Sequence, residues 1–88
     1  MLNDRVVIVT GGAGGIGRAT ALLLAEAGAR VVVSDVSESG EETAATIRER
    51  GGQANFVKAD IAREADVAAL VDETVRLHGR LDGAFNNA

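Results

Sequence analysis

The sequence predicts an α/β fold, a doubly wound parallel sheet in which strands and helices alternate. Apolar runs rich in β-branched residues recur along the chain, and the segments between them carry apolar residues at helical spacing. Glycines separate the two kinds of segment, and the connections are short. Each helix is therefore expected to cross over between parallel strands, in the order β-α-β-α-β-α-β.

Four segments are expected to be strands. The first two are continuous apolar runs, typical of strands that are buried on both faces of a parallel sheet. The first run stops at glycine. They cover residues 5–10, 31–35, 54–59 and 81–86.

Three intervening segments are expected to be helices. The first has apolar residues at helical spacing, followed by a glycine suited to a C-terminal cap: Ile16, Ala19, Leu23, Ala27 and then Gly28. The second begins with a capping box formed by Ser39 and Glu42 and continues to Arg50. The third covers 64–78, and its apolar stripe comprises Val67, Leu70, Val71 and Val75.

The handedness of the crossovers predicts how the helices are distributed. Two successive right-handed crossovers in one direction place both helices on one face, and a reversal places the next helix on the other face. The predicted strand order is 3-2-1-4, which is the first half of a doubly wound fold. Its ligand crevice lies between strands 1 and 4, and residues 1–88 are expected to form one unit.

Composition and charge exclude several classes of function. The net charge is −4, and the nine basic residues are scattered, so no nucleic-acid partner is expected. The absence of cysteine excludes disulfides and thiolate metal sites, and no metal site is expected. No apolar run is long enough for a bilayer, and the polar N-terminus lacks the apolar region of a signal peptide. We expect a cytoplasmic protein with no membrane partner.

A glycine-rich segment, Thr10–Gly17, lies between the first strand and the first helix. The N–H groups at a helix N-terminus are unpaired and attract an anion, and glycines let the bare backbone approach it. Two registers fit: G-x-G-x-x-G at Gly12, Gly14 and Gly17, or T-G-x-x-x-G-x-G at Thr10, Gly11, Gly15 and Gly17. A P-loop is excluded because Arg18-Ala19 replaces the required Lys-Ser/Thr.

An acidic residue, Asp35, ends the second strand. A carboxylate at this position accepts hydrogen bonds from the adenosine ribose and repels a 2′-phosphate. Val36 follows it rather than arginine or lysine, so no adjacent cation offsets the repulsion. The expected cofactor is therefore NAD rather than NADP. The structural alternative is a surface acid at a strand end.

Three motifs in order resemble the classical short-chain dehydrogenase/reductase (SDR) family. They are Thr10–Gly17, then Asp60-Ile61 after the third strand, then Asn86-Asn87-Ala88 after the fourth. The resemblance covers the whole chain and implies a Rossmann-like fold. It also implies an oxidoreductase that transfers hydride between NAD(H) and a small alcohol or carbonyl substrate.

The resemblance implies a set of cofactor-binding residues. Gly11, Gly15 and Gly17 would shape the pyrophosphate loop, and Gly14 and Ile16 would contact the cofactor through their backbone. Asp35 would hold the adenosine ribose. Asp60 would form a hydrogen bond with the adenine amino group, and Ile61 would pack beside the adenine ring. Asn87 would contact the cofactor ribose region, and Asn86 would tie the fourth strand to its neighbours. Asp60 has a structural alternative, the N-cap of the third helix.

The family's catalytic serine, tyrosine and lysine would lie beyond Ala88. The 88 residues contain no tyrosine, and their one lysine, Lys58, is not in a Y-x-x-x-K motif. Without that acid/base pair, hydride transfer has no proton partner. We therefore expect the chain to be the N-terminal NAD-binding half of a single domain, inactive alone. The single histidine, His78, is expected to be structural.

Two rival hypotheses remain. One is a non-catalytic folding or self-associating fragment that binds no cofactor. The other is a flavin-binding or methyl-donor-binding Rossmann protein, against which Thr10 and the Asn-Asn-Ala segment argue. The fourth strand would be an exposed edge carrying Leu81, Ala84 and Phe85, so a homo-oligomer or self-association through it is expected.

Overall fold

The computed structural model describes residues 1–87, in which four strands and three helices alternate. They are β1 (Val6–Thr10), α1 (Gly15–Glu26), β2 (Arg30–Asp35), α2 (Gly40–Glu49), β3 (Gln53–Lys58), α3 (Glu64–His78) and β4 (Gly83–Asn86). The predicted element order is confirmed. Within this part of the chain, no helix has both the length and the apolar character needed to cross a bilayer.

The strands form one parallel sheet in the order β3-β2-β1-β4, which confirms the predicted order. At its centre, Ile8 of β1 pairs with Val32 of β2 and Ala84 of β4. Most side chains of β1 and β2 are almost fully buried, because helices cover both faces of these central strands.

The helices are divided between the two faces as the crossovers predicted. On one face, Val9 and Val33 pack with Ala21 of α1 and Ile47 of α2. On the other face, Ile8 and Val32 pack with Leu70 of α3. The first half of a doubly wound fold is therefore present, and its two cores meet at the central strands.

The buried side of α1 differs from the predicted stripe. Gly17 is buried against the Gly11 backbone and Ala21 against the sheet, whereas Ile16 and Leu23 are 69% and 65% exposed. Ala19 is also exposed. Apolar residues surround much of this helix, so their spacing did not identify one face. Small residues at the contact let α1 approach the strands closely, and this selected the face.

Two other helix predictions need correction. The Ser39 side chain does not cap α2: its backbone is helical, and its hydroxyl lies 2.7 Å from that of Ser37. In α3, Leu70 is buried, but Val67 and Val75 are 38% and 44% exposed. Only the sheet-facing part of the predicted stripe is covered.

The start of β4 is fixed to β1 by Asp82. The Val6 amide donates to Asp82 Oδ2 at 2.8 Å, and the Asp82 amide donates to the Val6 carbonyl at 2.9 Å. Arg80 donates to the other carboxylate oxygen at 2.7 Å. The Arg80 hydrogen bond, followed by that of the Val6 amide, lowers the pKa of Asp82. These contacts explain why β4 begins at Gly83, two residues later than predicted.

His78 lies at the end of α3, where its Nε2 is 3.0 Å from Asn55 Oδ1 in β3. Partial burial, and secondarily the positive charge of Arg30, lower the pKa of His78. The dipole at the helix C-terminus would raise the pKa of His78, so the effect of desolvation outweighs that of the dipole here. The side chain joins α3 to the edge of the sheet.

Candidate functional site

The candidate site lies where the carboxyl ends of β1, β2 and β4 meet. The loop from Gly11 to Gly14 leaves β1 and leads directly into α1. In parallel sheets, ligands bind in the crevice beyond these strand ends, at the point where the strand order reverses. Here that point lies between β1 and β4.

The loop geometry distinguishes between the two glycine registers. Gly11 and Gly15 have positive φ angles of 65° and 56°, which favour glycine. A β-carbon at Gly17 would collide with the Gly11 carbonyl oxygen. Gly14 has an extended backbone (φ −164°), and a β-carbon there would meet nothing within 4 Å. Positive φ angles therefore require glycine at Gly11 and Gly15 of the T-G-x-x-x-G-x-G register, whereas in the other register Gly12 is restricted only by packing against Val33 and Gly14 is not restricted.

The N-terminus of α1 provides backbone donors beside this loop. The Arg18 amide bonds to the Gly14 carbonyl at 3.2 Å and is the first helical hydrogen bond. The amides of Gly15, Ile16 and Gly17 precede it and have no intrahelical acceptor. Together with the positive end of the helix dipole, they form a surface suited to an anion.

Asp35 lies directly across from the loop at the end of β2. Its Oδ2 accepts a hydrogen bond from the Ala13 amide, and its Oδ1 accepts one from the Ser37 amide, both at 3.0 Å. A carboxylate has about four acceptor sites, so two remain for other donors. Asp35 thus shapes the loop and keeps acceptor capacity.

A cleft of about 120 Å³ opens beside Asp35. Its lining brings together the ends of β1 and β2 and the segment after β3: Thr10, Gly11, Ser34, Asp35, Val36, Ala59, Asp60 and Ile61. The predicted Asp60 and Ile61 thus lie in the same cleft as Asp35. In residues 1–87, no three potential metal-binding side chains come together.

Asp60 is not the N-cap of α3, which is Arg63. Its Oδ1 instead accepts a hydrogen bond from the Ala62 amide at 3.0 Å, which forms a turn before the helix. The Asp60 amide donates to Asp66 Oδ2 at 2.8 Å. The turn holds Asp60 at the mouth of the cleft.

Thr10 connects the end of β1 to the end of β4. Its hydroxyl donates a hydrogen bond to Asn86 Oδ1 at 3.0 Å and accepts one from the Asn87 amide at 3.1 Å. The Asn87 side chain lies against the backbone of Gly11 and Gly17, where added β-carbons would meet its Nδ2 within 3.3 Å. Asn86 thus ties β4 to its neighbour, and Asn87 borders the loop. Ala88 of this motif lies outside the described residues.

The structure adds three side chains that sequence reasoning missed. Thr43 of α2 donates to the Gly12 carbonyl at 2.7 Å, and Arg18 donates to the hydroxyls of Thr43 and Thr46, each at 3.2 Å. No motif indicates these residues, because α2 approaches the loop only in the folded chain. A threonine near the start of α2 becomes informative only when the fold is known.

Comparisons with known proteins agree with this geometry. Residues 5–88 match the family model for short chain dehydrogenase. The chain is 49% identical, over 99% of its length, to a 2,5-dichloro-2,5-cyclohexadiene-1,4-diol dehydrogenase of Sphingobium indicum, of which it covers 34%. It is 47% identical, over 99% of its length, to Tropinone reductase-like 1 of Erythroxylum coca, of which it covers 31%.

A solved structure shows the same arrangement of elements. The crystal structure of a hydroxysteroid dehydrogenase from Escherichia coli superimposes with a TM-score of 0.96 at 38% identity, over 99% of this chain and 37% of the other. The chain thus spans about a third of the length of the relatives that it matches. The family match, the Rossmann-like fold and the glycine loop together show that this chain belongs to the short-chain dehydrogenase/reductase family.

Proposed function

We propose that this chain is the N-terminal, NAD-binding half of a short-chain dehydrogenase/reductase domain. In the whole protein it would serve hydride transfer between NAD(H) and an alcohol or carbonyl substrate. The observation that carries the proposal is the placement of the Asp35 carboxylate beside the glycine loop and the free amides of α1. A diphosphate and a ribose diol are the ligand groups that fit these two features.

The preference for NAD over NADP rests on the charge of Asp35. Its two remaining acceptor sites suit the two ribose hydroxyls, whereas a 2′-phosphate would bring negative charge against the carboxylate. Val36, the next residue, is 58% exposed and offers no compensating cation. These contacts favour NAD.

The chain's own residues would bind and orient the cofactor. Backbone amides of Gly15 and Ile16 would receive the pyrophosphate, Asp60 and Ile61 would border the adenine, and Asn87 would lie beside the cofactor ribose. When bound, the nicotinamide supplies or accepts the hydride. A tyrosine acid/base is not among the 88 residues. We propose that the catalytic proton transfer depends on residues outside them.

The experiment is a titration with ADP-ribose, NADH and NADPH. Asp35→Asn is the informative variant, because it removes the charge while its amide oxygen still accepts one loop hydrogen bond. We expect weaker ADP-ribose and NADH binding and a smaller preference for NADH over NADPH. Asp72→Asn, the same charge change on α3 across the sheet, is the matched control and should leave all affinities unchanged.

A folded wild-type chain with no saturable ADP-ribose binding would contradict the proposal. The second candidate is then a non-catalytic folding or self-associating fragment. The exposed apolar side chains of Leu23 and Phe85 favour this alternative. Concentration-dependent association without any nucleotide effect on the melting temperature would support it.

A further inference from the structure

Two consecutive peptides of the glycine loop are held at three polar atoms. The Gly12 amide donates to the Ser34 carbonyl at 3.1 Å, and the Ala13 amide donates to Asp35 Oδ2 at 3.0 Å. The Gly12 carbonyl accepts from Thr43 Oγ1 at 2.7 Å. The Gly12–Ala13 peptide is therefore fixed from the side of β2 and α2.

The other half of the loop is open. Gly14 and Gly15 are exposed, and β-carbons at these positions would meet no atom within 4 Å. A ligand that binds the open half depends on the fixed half for its alignment, because the two are consecutive in the backbone.

Arg18 determines the direction of the Thr43 hydroxyl. Thr43 is fully buried, and its hydroxyl carries one proton. The guanidinium of Arg18 can only donate, and it approaches Thr43 Oγ1 at 3.2 Å while also reaching Thr46 at 3.2 Å. Thr43 must therefore accept from Arg18 and use its single proton for the Gly12 carbonyl.

The placement of Arg18 has an electrostatic cost without a carboxylate to offset it. In residues 1–87, six of the eight arginines have a carboxylate oxygen within 4.0 Å, and Arg18 and Arg63 do not. Arg18 is in the first turn of α1, where the helix dipole disfavours a cation. Its position is therefore better explained by its hydrogen bonds to Thr43 and Thr46 than by helix stability.

We propose that Arg18 and Thr43 are positioning residues for the nucleotide diphosphate. Arg18 orients the Thr43 proton toward the Gly12 carbonyl, which fixes the Gly12–Ala13 peptide and aligns the free amides of α1. This inference rests on the proposed function, in which those amides bind the diphosphate of ADP-ribose.

The test of Thr43 measures ADP-ribose affinity by calorimetry. Thr43→Val removes the hydroxyl without changing the shape, and we expect roughly three- to tenfold weaker binding, the effect of one hydrogen bond. Thr43→Ser restores the hydroxyl and should restore affinity. Thr74→Val is the matched control, since Thr74 is equally buried and its hydroxyl donates to the Leu70 carbonyl at 2.7 Å, far along the chain from the loop.

The test of Arg18 separates orientation from charge. Arg18→Lys keeps the positive charge but lacks the planar guanidinium that spans two hydroxyls. Arg18→Met lacks both the charge and the guanidinium. We expect both variants to weaken ADP-ribose binding several-fold, and neither to weaken it further in a Thr43→Val background. Wild-type affinity in Arg18→Lys with loss only in Arg18→Met would show a charge effect and overturn the positioning role.

Two results would reject the inference without rejecting the proposed function. One is wild-type affinity in Thr43→Val, and the other is an equal loss of affinity in Thr74→Val. Failure of the wild-type chain itself to bind ADP-ribose would reject both.

Discussion

Gly12 offers a stability prediction that can be worked from interatomic distances. A β-carbon added at Gly12 would lie 2.6 Å from Cγ1 of Val33, a fully buried side chain at the centre of the sheet. Real β-carbons do not approach a methyl carbon this closely, so one of the two must move. The backbone at Gly12 does not have a positive φ, and alanine there is opposed by packing alone.

The expected magnitudes follow from packing. Gly12→Ala overfills a closed core and should cost about 2 kcal/mol. Val33→Ala removes two buried methyl groups and leaves a cavity, which should cost about 2–3 kcal/mol. In the double variant the new methyl occupies part of that cavity. We expect the combined cost to fall short of the sum by about 1–2 kcal/mol.

The assay is urea unfolding followed by far-ultraviolet circular dichroism, since the chain has no tryptophan or tyrosine. A domain of this size is expected to have roughly 4–13 kcal/mol of stability, so each single variant should remain measurable. Gly14→Ala is the control, because its β-carbon meets nothing, and we expect a change below about 0.5 kcal/mol. Additive costs, or a neutral Gly12→Ala, would refute the packing argument.

Three further predictions concern charge and association. The folded-state pKa of Asp82 is lowered, so its contribution to the free energy of unfolding is present above its unfolded pKa and is lost as the pH falls through its folded pKa. Asp82→Asn should therefore flatten the acid side of a plot of stability, measured by urea unfolding, against pH. An unchanged plot would contradict this. The pKa of His78 is also lowered, so the free energy of unfolding should decline as the pH falls from about 7 to about 5. An equally steep decline in the His78→Asn variant would show that other groups cause it. Phe85 is 37% exposed on the edge strand β4, so sedimentation should show self-association that Phe85→Lys reduces, whereas a compact monomer at high concentration would refute the exposed-edge argument.

The sequence by itself determined the order of elements, the strand order and the loop that begins α1. Continuous β-branched runs such as that of β1 fit few places other than a buried parallel strand, and the glycine loop follows it directly. The sequence also indicated Asp35, at a strand end, and through the family resemblance Asp60 and Asn87 as candidate site residues; the structure places Asp35 and Asp60 in one cleft and Asn87 beside the glycine loop. Given the strand order 3-2-1-4, the right-handed crossovers then predicted which face of the sheet each helix covers.

The tertiary structure decided what depends on contacts distant in the chain. The buried face of α1 was set by the close fit of Gly17 against the glycine loop and of Ala21 against the sheet, which an apolar helix sequence does not reveal. The choice of glycine register depended on the positive φ angles of Gly11 and Gly15. The hydrogen bond of Thr43 to the loop depends on α2 packing beside α1, since a hydroxyl 31 residues away has no local pattern that identifies its acceptor.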